Sequence, residues 1–234
     1  MNNLYSQNYS PPLSKIDPVI NRILLEYGYD EHNFIVERLY SPIIKDNYDN
    51  FHKINLLLNS ILIKYNEDQH SFVSFKNDGL IVLVFKNICI KVFSKENIIP
   101  RNIDRLYNLL KKNESPYLEK INEIISEDQL NIFIVISKTV DTQKFKDRLE
   151  NDSSIIKEDI QNALIYLKNN NWSHYDARID NVGFDQELNN YVLFDFDMSK
   201  YNEDSTLLNN NLLNDINKLN ISINFNLNLN NPLC

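Results

Sequence analysis

The stretch Ser173-His174-Tyr175-Asp176-Ala177-Arg178-Ile179-Asp180-Asn181 is followed, after an apolar run, by Asp195-Phe196-Asp197. It contains a carboxylate at Asp176, an amide five positions later at Asn181, and a second carboxylate at Asp195. Phosphoryl transfer needs one carboxylate that orients an attacking hydroxyl and accepts its proton, and it needs oxygen ligands for Mg²⁺. The spacing therefore predicts phosphoryl-transfer chemistry, with Asp176 as the base and with Asn181 and Asp195 on the metal.

The same stretch resembles the catalytic loop and the metal-binding strand of the protein-kinase-like superfamily, whose patterns are His-x-Asp-x-x-x-x-Asn and Asp-Phe-Gly. His174, Asp176 and Asn181 match the first pattern, whereas Asp197 replaces the glycine of the second. Small-molecule kinases of the superfamily, such as the aminoglycoside and choline phosphotransferases, often have an acidic residue there. The resemblance implies an atypical or reduced kinase that uses ATP and Mg²⁺, and it does not choose between protein and small-molecule acceptors.

Other residues near the loop have roles that the resemblance implies. Arg178 follows the base by two positions, where Ser/Thr protein kinases place a lysine near the transferred phosphate. It can stabilise transition-state charge or pair with Asp180 on the surface, and both alternatives stay open. His174 is expected to brace the loop, and Asp215 in a later helix to anchor it. Tyr175 replaces the arginine with which regulated protein kinases bind activation-loop phosphate, so control by that route is not expected.

Three strand-like runs upstream, at 71–75, 80–85 and 88–93, predict an antiparallel meander. The resemblance implies that the third strand carries a lysine for the α- and β-phosphates, and Lys91 matches that position within an apolar run. The alternative is a lysine at a strand edge whose ammonium reaches solvent.

Two further cofactor-binding residues follow from the resemblance. The family pairs the strand lysine with a helix glutamate; Asp104 is the acid inside the amphipathic helix formed by Ile103, Leu106, Tyr107 and Leu110. Asp104 can equally be a solvated acid at a helix end. The glycine-rich phosphate loop of the family is reduced here to Gly79. Either a tight turn at Gly79 faces the phosphates, or triphosphate binding is degraded.

The remaining periodicities predict further elements. An aliphatic face predicts a helix over 155–168, capped by Ser153 or Ser154. Residues 182–184 and 191–194 predict a hairpin that presents both metal ligands. Other segments are helices at 17–28, 31–39 and 46–65, strands at 117–125 and 131–136, a connector at 137–140, a helix around 208–219 and, from strict alternation, a strand at 221–229.

Together these elements predict an α+β chain with a two-lobed protein-kinase-like fold. The small lobe is expected to hold a five-stranded antiparallel sheet, and the large lobe to be a reduced helical one. The predicted divisions are an N-terminal arm and helical cap at 1–66, the small lobe at 67–137 and the large lobe at 138–234.

Composition limits the partners. The chain has 234 residues, 43% of them hydrophobic, and a net charge of -8. This charge argues against nucleic acid as the main partner, since duplex binding depends on lysine and arginine.

No apolar run approaches the ~18 residues of a membrane span, and the first residues lack the pattern of a secretion signal. With two cysteines, a disulfide framework is not expected. The sequence predicts a cytoplasmic protein whose partners are a nucleotide and a hydroxyl-bearing substrate, with no membrane.

Two alternatives to a phosphotransferase stay open. A pseudokinase would keep the fold as a nucleotide-binding or scaffolding module, and the scarcity of glycine and the missing helix glutamate favour it. An α/β domain with chance motif matches is the other alternative. The joint presence of Lys91, Asp176, Asn181 and Asp195 favours the enzyme over both.

Overall fold

The computed structural model describes residues 48–68, 73–77, 80–112 and 115–230. These residues fall into two compact units, one within Met1–Ser94 and Ser126–Ile134 and the other within Lys95–Ile125 and Val135–Cys234. The helices predicted at 17–28 and 31–39 lie outside the described residues, as does Gly79. The divisions predicted near residues 66 and 137 stay predictions.

The first unit combines a helix with an antiparallel meander. Helix α1 spans Tyr48–Tyr65, as predicted, and it buries Ile54, Leu58, Ile61 and Leu62. Strands β1 (Val73–Asn77), β2 (Leu80–Val84) and β3 (Ile88–Ser94) pair antiparallel in sequence order, which confirms the predicted meander. The five-stranded sheet, in the order β1-β2-β3-β5-β4, also includes β4 (Ile121–Glu127) and β5 (Ile132–Lys138), whose residues are divided between the two units. The chain is therefore mixed α+β with antiparallel pairing, as expected.

The second unit begins with short helices. Helix α2 (Lys95–Ile98) and a 3₁₀ turn (Ile99–Arg101) lead into α3 (Ile103–Lys111). The helix predicted from its apolar spacing is confirmed, because Ile103, Leu106, Tyr107 and Leu110 are all buried. Burying one stripe of an amphipathic helix is the usual reason why such a segment folds.

Helix α4 is much longer than predicted, since it spans Thr142–Asn169. Its cap is Asp141, whose side chain accepts a hydrogen bond from the Lys144 amide at 2.8 Å, so the predicted cap at Ser153 or Ser154 is wrong. Because the polar segment after Leu149 interrupts the apolar periodicity, the sequence pattern did not predict the first half of the helix. The buried face nevertheless keeps helical spacing throughout, at Phe145, Leu149, Ile156, Ile160, Ala163, Leu164 and Leu167.

Short strands flank the motif described above. Strand β6 (Trp172–Ser173) pairs with β9 (Lys200–Tyr201), and β7 (Val182–Asp185) pairs with β8 (Asn190–Leu193). The predicted hairpin is thus confirmed.

The last helix, α5, spans Ser205–Asn230, so the strand predicted at 221–229 is wrong. Alternation of Ile or Leu with Ser or Asn matched the period of a strand. The segment also continues one face of a helix. The buried residues follow one another at helical spacing along that face, at Leu208, Asp215, Leu219 and Ile223. Burial against the second unit therefore overrides the alternation. Among the described residues, no helix is long and apolar enough to cross a membrane.

The predicted connector at 137–140 is fixed to the β7–β8 hairpin. Lys138 Nζ lies 2.8 Å from Asp185 Oδ1 and 2.9 Å from Glu187 Oε2. Burial by itself would raise the pKa of the Asp185 carboxyl, but the bond from Lys138 and two backbone amides outweigh burial and lower it. The connector and the hairpin are therefore joined by an ion pair whose carboxylate is largely buried.

Gly183 gives a test of this contact. A Cβ placed on Gly183 would lie 2.5 Å from Val140 Cγ2, so Gly183→Ala is expected to destabilise the protein by about 1–3 kcal/mol through overpacking. Denaturant unfolding of Gly183→Ala, Val140→Ala and the double variant measures the effect. Because Val140→Ala removes the Cγ2 methyl group but keeps the Val140 Cβ, which would lie 2.7 Å away, the double variant should recover part of the loss and be more stable than the sum of the single losses. Strict additivity of the two losses would contradict the contact.

Candidate functional site

The candidate site lies in the second unit, on the loop between β6 and β7 and at the residues after β8. The loop runs from His174 to a 3₁₀ turn at Ile179–Asn181. Tyr175 in the loop and Asp195 after β8 both adopt left-handed backbone conformations, with φ of 66° and 64°. Such conformations are uncommon for residues other than glycine and often occur at functional sites.

Asp176 and Asn181 are brought together by the loop. The side-chain amide of Asn181 donates to the Asp176 carbonyl at 2.8 Å and to Asp176 Oδ2 at 3.0 Å. The loop is closed further because the Asn181 backbone amide donates to the carbonyl of Arg178 at 2.9 Å. Since the amide nitrogen of Asn181 is committed to Asp176, its carbonyl oxygen Oδ1 is the atom with which it can bind a cation.

Arg178 holds the Asp176 carboxylate from the other side. Its Nε lies 2.8 Å from Asp176 Oδ1 and its Nη2 lies 2.9 Å from Oδ2, which is a bidentate pair. The hydrogen bond to Asp176 raises the pKa of the Arg178 guanidinium against the effect of burial, and the charges of Asp180 and Asp195 add to the rise. Arg178 therefore pairs with Asp176, and Asp180 acts on it only through its charge.

Asp195 is tied to the same loop through the backbone. The amide of Phe194 donates to the carbonyl of Asn181 at 3.0 Å, and His174 Nε2 lies 3.2 Å from the carbonyl of Phe194. Asp195 therefore follows a residue that is bonded to both ends of the 174–181 loop. Its charge also contributes to the raised pKa of the Arg178 guanidinium.

His174 braces the loop, as the resemblance implied. It is fully buried, and its Nδ1 accepts a hydrogen bond from the Asp176 amide at 3.3 Å. Acceptance at Nδ1 leaves Nε2 as the protonated nitrogen that donates to Phe194. Its ring also meets the ring of Phe196 edge to face at a centroid distance of 5.3 Å. His174 thus joins the loop to the Asp195 segment.

Helix α3 contacts the segment after Asp195. The rings of Tyr107 and Phe196 meet edge to face at 6.3 Å, and the Tyr107 hydroxyl donates to Asp197 Oδ1 at 3.4 Å. Asp197 is therefore held by a helix side chain.

Asp215 anchors the loop from α5, which confirms the expectation. Its carboxylate is 2% exposed, and Oδ2 accepts a hydrogen bond from the Tyr175 amide at 3.1 Å. Burial raises the pKa of the Asp215 carboxyl, although bonds from the amides of Tyr175, His174 and Ala177 and the charge of Lys218 oppose the rise. A carboxylate this deep in the protein is retained because several loop amides converge on it.

Asn181 and Asp195 suit Mg²⁺ chemically, because an amide oxygen and a carboxylate are hard oxygen ligands. Protein Mg²⁺ sites often supply one or two such groups and leave the other positions to water and substrate phosphates. Over residues 48–68, 73–77, 80–112 and 115–230, no group of three or more His, Cys, Asp or Glu side chains is arranged to hold a metal.

The remaining predicted site residues are spread over the chain. Lys91 lies in β3 of the first unit, between two neighbouring strands, and only 4% of it is exposed, so the strand-edge alternative is wrong. Asp104 lies in the first turn of α3 in the second unit. Because these two residues belong to different units, their pairing stays a prediction, as does the role of Gly79.

Sequence reasoning missed three α5 residues that contact the loop. Asn211 and Lys218 bond to Tyr175, and Ser222 Oγ accepts a hydrogen bond from the Ile179 amide at 3.1 Å. A signal was present, because Leu208, Asn211, Asp215, Lys218 and Ser222 follow one another at helical spacings of three and four. The apparent strand at 221–229 concealed the end of this face.

Comparison with known proteins adds no relative. A scan of the sequence against protein-family models and a search of curated proteins both find no match.

Proposed function

We propose that this protein is an ATP- and Mg²⁺-dependent phosphotransferase of reduced kinase-like fold, which transfers the γ-phosphate to a hydroxyl of a protein or a small molecule. The observation that supports it most is the convergence on the Asp176 carboxylate. Asn181 donates to it at 3.0 Å and Arg178 binds it through two nitrogens, while the charge of Asp195 acts on the same guanidinium. Asp176 and Asn181 thus meet in one loop, and the amide of Phe194, one residue before Asp195, donates to the Asn181 carbonyl at 3.0 Å, which supports a shared role in phosphoryl transfer.

Asp176 is the proposed base. Its carboxylate is oriented by Asn181 and is 25% exposed, so an acceptor hydroxyl can approach it. Because phosphoryl transfer is largely dissociative, the main contribution of Asp176 is to position the hydroxyl, and proton acceptance follows as the new bond forms.

Arg178 is the proposed partner of the transferred phosphate. Its side chain is 51% exposed and pairs with Asp176, and the charge of Asp195 adds to the rise in the pKa of its guanidinium. A planar guanidinium matches phosphate oxygens as well as it matches a carboxylate. Arg178 can therefore exchange one of its two bonds to Asp176 for a phosphate oxygen, which also uncovers Asp176.

Asn181 Oδ1 and the Asp195 carboxylate are the proposed Mg²⁺ ligands, and the metal when bound would neutralise charge on the phosphates. By resemblance, Lys91 binds the α- and β-phosphates, with Asp104 as its partner and Gly79 near them. Only residues 198–204 separate Asp197 from α5, which leaves no long segment there to which an acceptor could bind. This favours an acceptor that needs no long docking segment.

A pseudokinase is the second candidate, and one observation favours it. Arg178 engages both oxygens of the Asp176 carboxylate, so the proposed base is occupied by a cation in this conformation. A protein that only binds nucleotide could keep this pair permanently.

Thermal unfolding with ATP, in the presence and absence of Mg²⁺, tests the proposal and separates the two candidates. A ligand at about 100 times its dissociation constant stabilises by about 2.7 kcal/mol, which corresponds to a rise in Tm of about 5–10 °C. We expect this rise with ATP and Mg²⁺ together, and a much smaller one with ATP plus EDTA or with Mg²⁺ alone. An equal rise without metal would favour the pseudokinase. No rise in any condition would contradict the phosphotransferase and leave only a scaffolding module that binds no nucleotide.

A further inference from the structure

Tyr175 is held by α5 at three separate atoms. Its amide donates to Asp215 Oδ2 at 3.1 Å, its carbonyl accepts from Lys218 Nζ, and its phenol oxygen accepts from Asn211 Nδ2 at 2.8 Å. The ammonium of Lys200 lies over the ring at 4.8 Å from the centroid. A single residue of the catalytic loop thus meets four side chains, three of which lie on one helix.

This amount of contact has a conformational reason. Tyr175 has φ of 66°, and a residue with a Cβ in such a conformation costs about 1–3 kcal/mol unless its surroundings hold it. Tyrosine has no short polar side chain that could stabilise the left-handed conformation locally. The contacts from α5 therefore offset a strain that the loop would otherwise release.

The Lys218 contact bears directly on Asp176. The carbonyl of Tyr175 and the amide of Asp176 belong to the same peptide group, which is planar and rotates as one body. Lys218 binds the carbonyl side of this plane, and His174 Nδ1 accepts from the amide side at 3.3 Å. Rotation of the plane would break both bonds and turn the Asp176 side chain away from Asn181.

We propose that Lys218 and Asn211 are positioning residues, which hold Tyr175 in its left-handed conformation and so aim the Asp176 carboxylate. Lys218 sets the peptide plane before Asp176, and Asn211 fixes the Tyr175 ring against α5. The effect on turnover rests on the proposed phosphotransferase function, whereas the effect on loop order does not. An exposed lysine on a helix usually only solvates its surface; here its ammonium binds a backbone carbonyl 43 positions earlier in the chain.

We call the contacts of Lys218 and Asn211 with Tyr175 the clamp. Hydrogen exchange in the peptide covering residues 172–181 tests the clamp without requiring activity. In Lys218→Met, the methionine keeps the aliphatic stem but cannot bind the carbonyl, so the Tyr175 and Asp176 amides should exchange about tenfold faster, equivalent to ~1.4 kcal/mol of lost local stability. Lys218→Arg should restore most of the protection, because a guanidinium can reach the same oxygen. Lys111→Met, on an exposed position in the last turn of α3, is the matched control.

The role of Asn211 is tested by changing Tyr175, whose phenol oxygen accepts the hydrogen bond from Asn211. Tyr175→Phe removes the phenol oxygen and leaves the ring, so it should speed exchange of the same amides by a smaller factor, roughly threefold. Combining Tyr175→Phe with Asn211→Leu should add little to Tyr175→Phe alone, because both remove one bond. Fully additive effects would contradict this part of the clamp.

The second measurement is ATP turnover with Mg²⁺. Lys218→Met should lower kcat about tenfold and leave KM for ATP unchanged, because the nucleotide ligands are not altered, and Lys218→Arg should recover kcat. Unchanged exchange and unchanged kcat in Lys218→Met would overturn the inference and leave the proposed function intact. Faster exchange together with no turnover in the natural sequence would support the clamp and contradict the phosphotransferase.

Discussion

The Asp195→Asn variant is expected to turn over ATP about a thousandfold more slowly than the natural sequence, a loss of about 4 kcal/mol of transition-state stabilisation. The substitution removes the charge that we assign to Mg²⁺ and keeps the size of the side chain. Asparagine also tolerates left-handed backbone conformations, so the φ of 64° at this position need not change. Loss of activity would then report on the charge and not on the fold.

The measurement is Mg²⁺-dependent release of phosphate from ATP, together with the Tm rise caused by ATP and Mg²⁺. Both should fall in Asp195→Asn. Asp180→Asn is the matched control, because Asp180 is an exposed carboxylate whose charge also acts on Arg178 but which has no proposed ligand role. Equal turnover in Asp195→Asn and the natural sequence would contradict the assigned metal site.

The Asp176→Asn variant is expected to lower turnover about 10²–10⁴-fold, the usual contribution of a positioned acid or base. An amide cannot accept the proton of the acceptor hydroxyl. The side-chain nitrogen of the new asparagine is also a hydrogen-bond donor. It would face another donor, because Arg178 and Asn181 both donate to the carboxylate that it replaces. The loss should appear in kcat, whereas the Tm rise with ATP and Mg²⁺ should persist, since Asp176 is not assigned to nucleotide or metal.

Two results would contradict this assignment. A natural level of turnover in Asp176→Asn would exclude Asp176 as the base, and a lost Tm rise would mean that it binds the metal or nucleotide instead. Asp180→Asn again serves as the control for removing a carboxylate from the same loop. Far-UV circular dichroism and the Tm of each variant without ligand show whether the fold is retained.

Local patterns predicted much of the secondary structure. The meander of the first unit, the hairpin before Asp195 and helix α3 were confirmed, because each buries one clear face with its own period. The two errors arose where the polar pattern was ambiguous. In α4, a polar segment separates the first half of the helix from the second. At the end of α5, apolar and polar residues alternate with the period of a strand, whereas the buried residues keep the spacing of a helix.

The candidate site was predicted in part. Asp176 and Asn181 are five positions apart, so a single turn of the loop can join them, and their contact follows from local sequence. The choice of Asp176 over Asp180 as partner of Arg178 was not predictable, because both carboxylates are two positions from Arg178. Only the folded loop shows which side chain the guanidinium meets.

The sequence by itself determined the order and spacing of the polar side chains at 174–181 and at 195, and the hairpin that separates them, because these depend on neighbours a few positions away. The tertiary structure alone decided how the loop is held. Asn211, Asp215 and Lys218 reach Tyr175 from 36 to 43 positions later in the chain. A left-handed tyrosine is unfavourable on its own, so its conformation depends on a helix that must first pack against the loop.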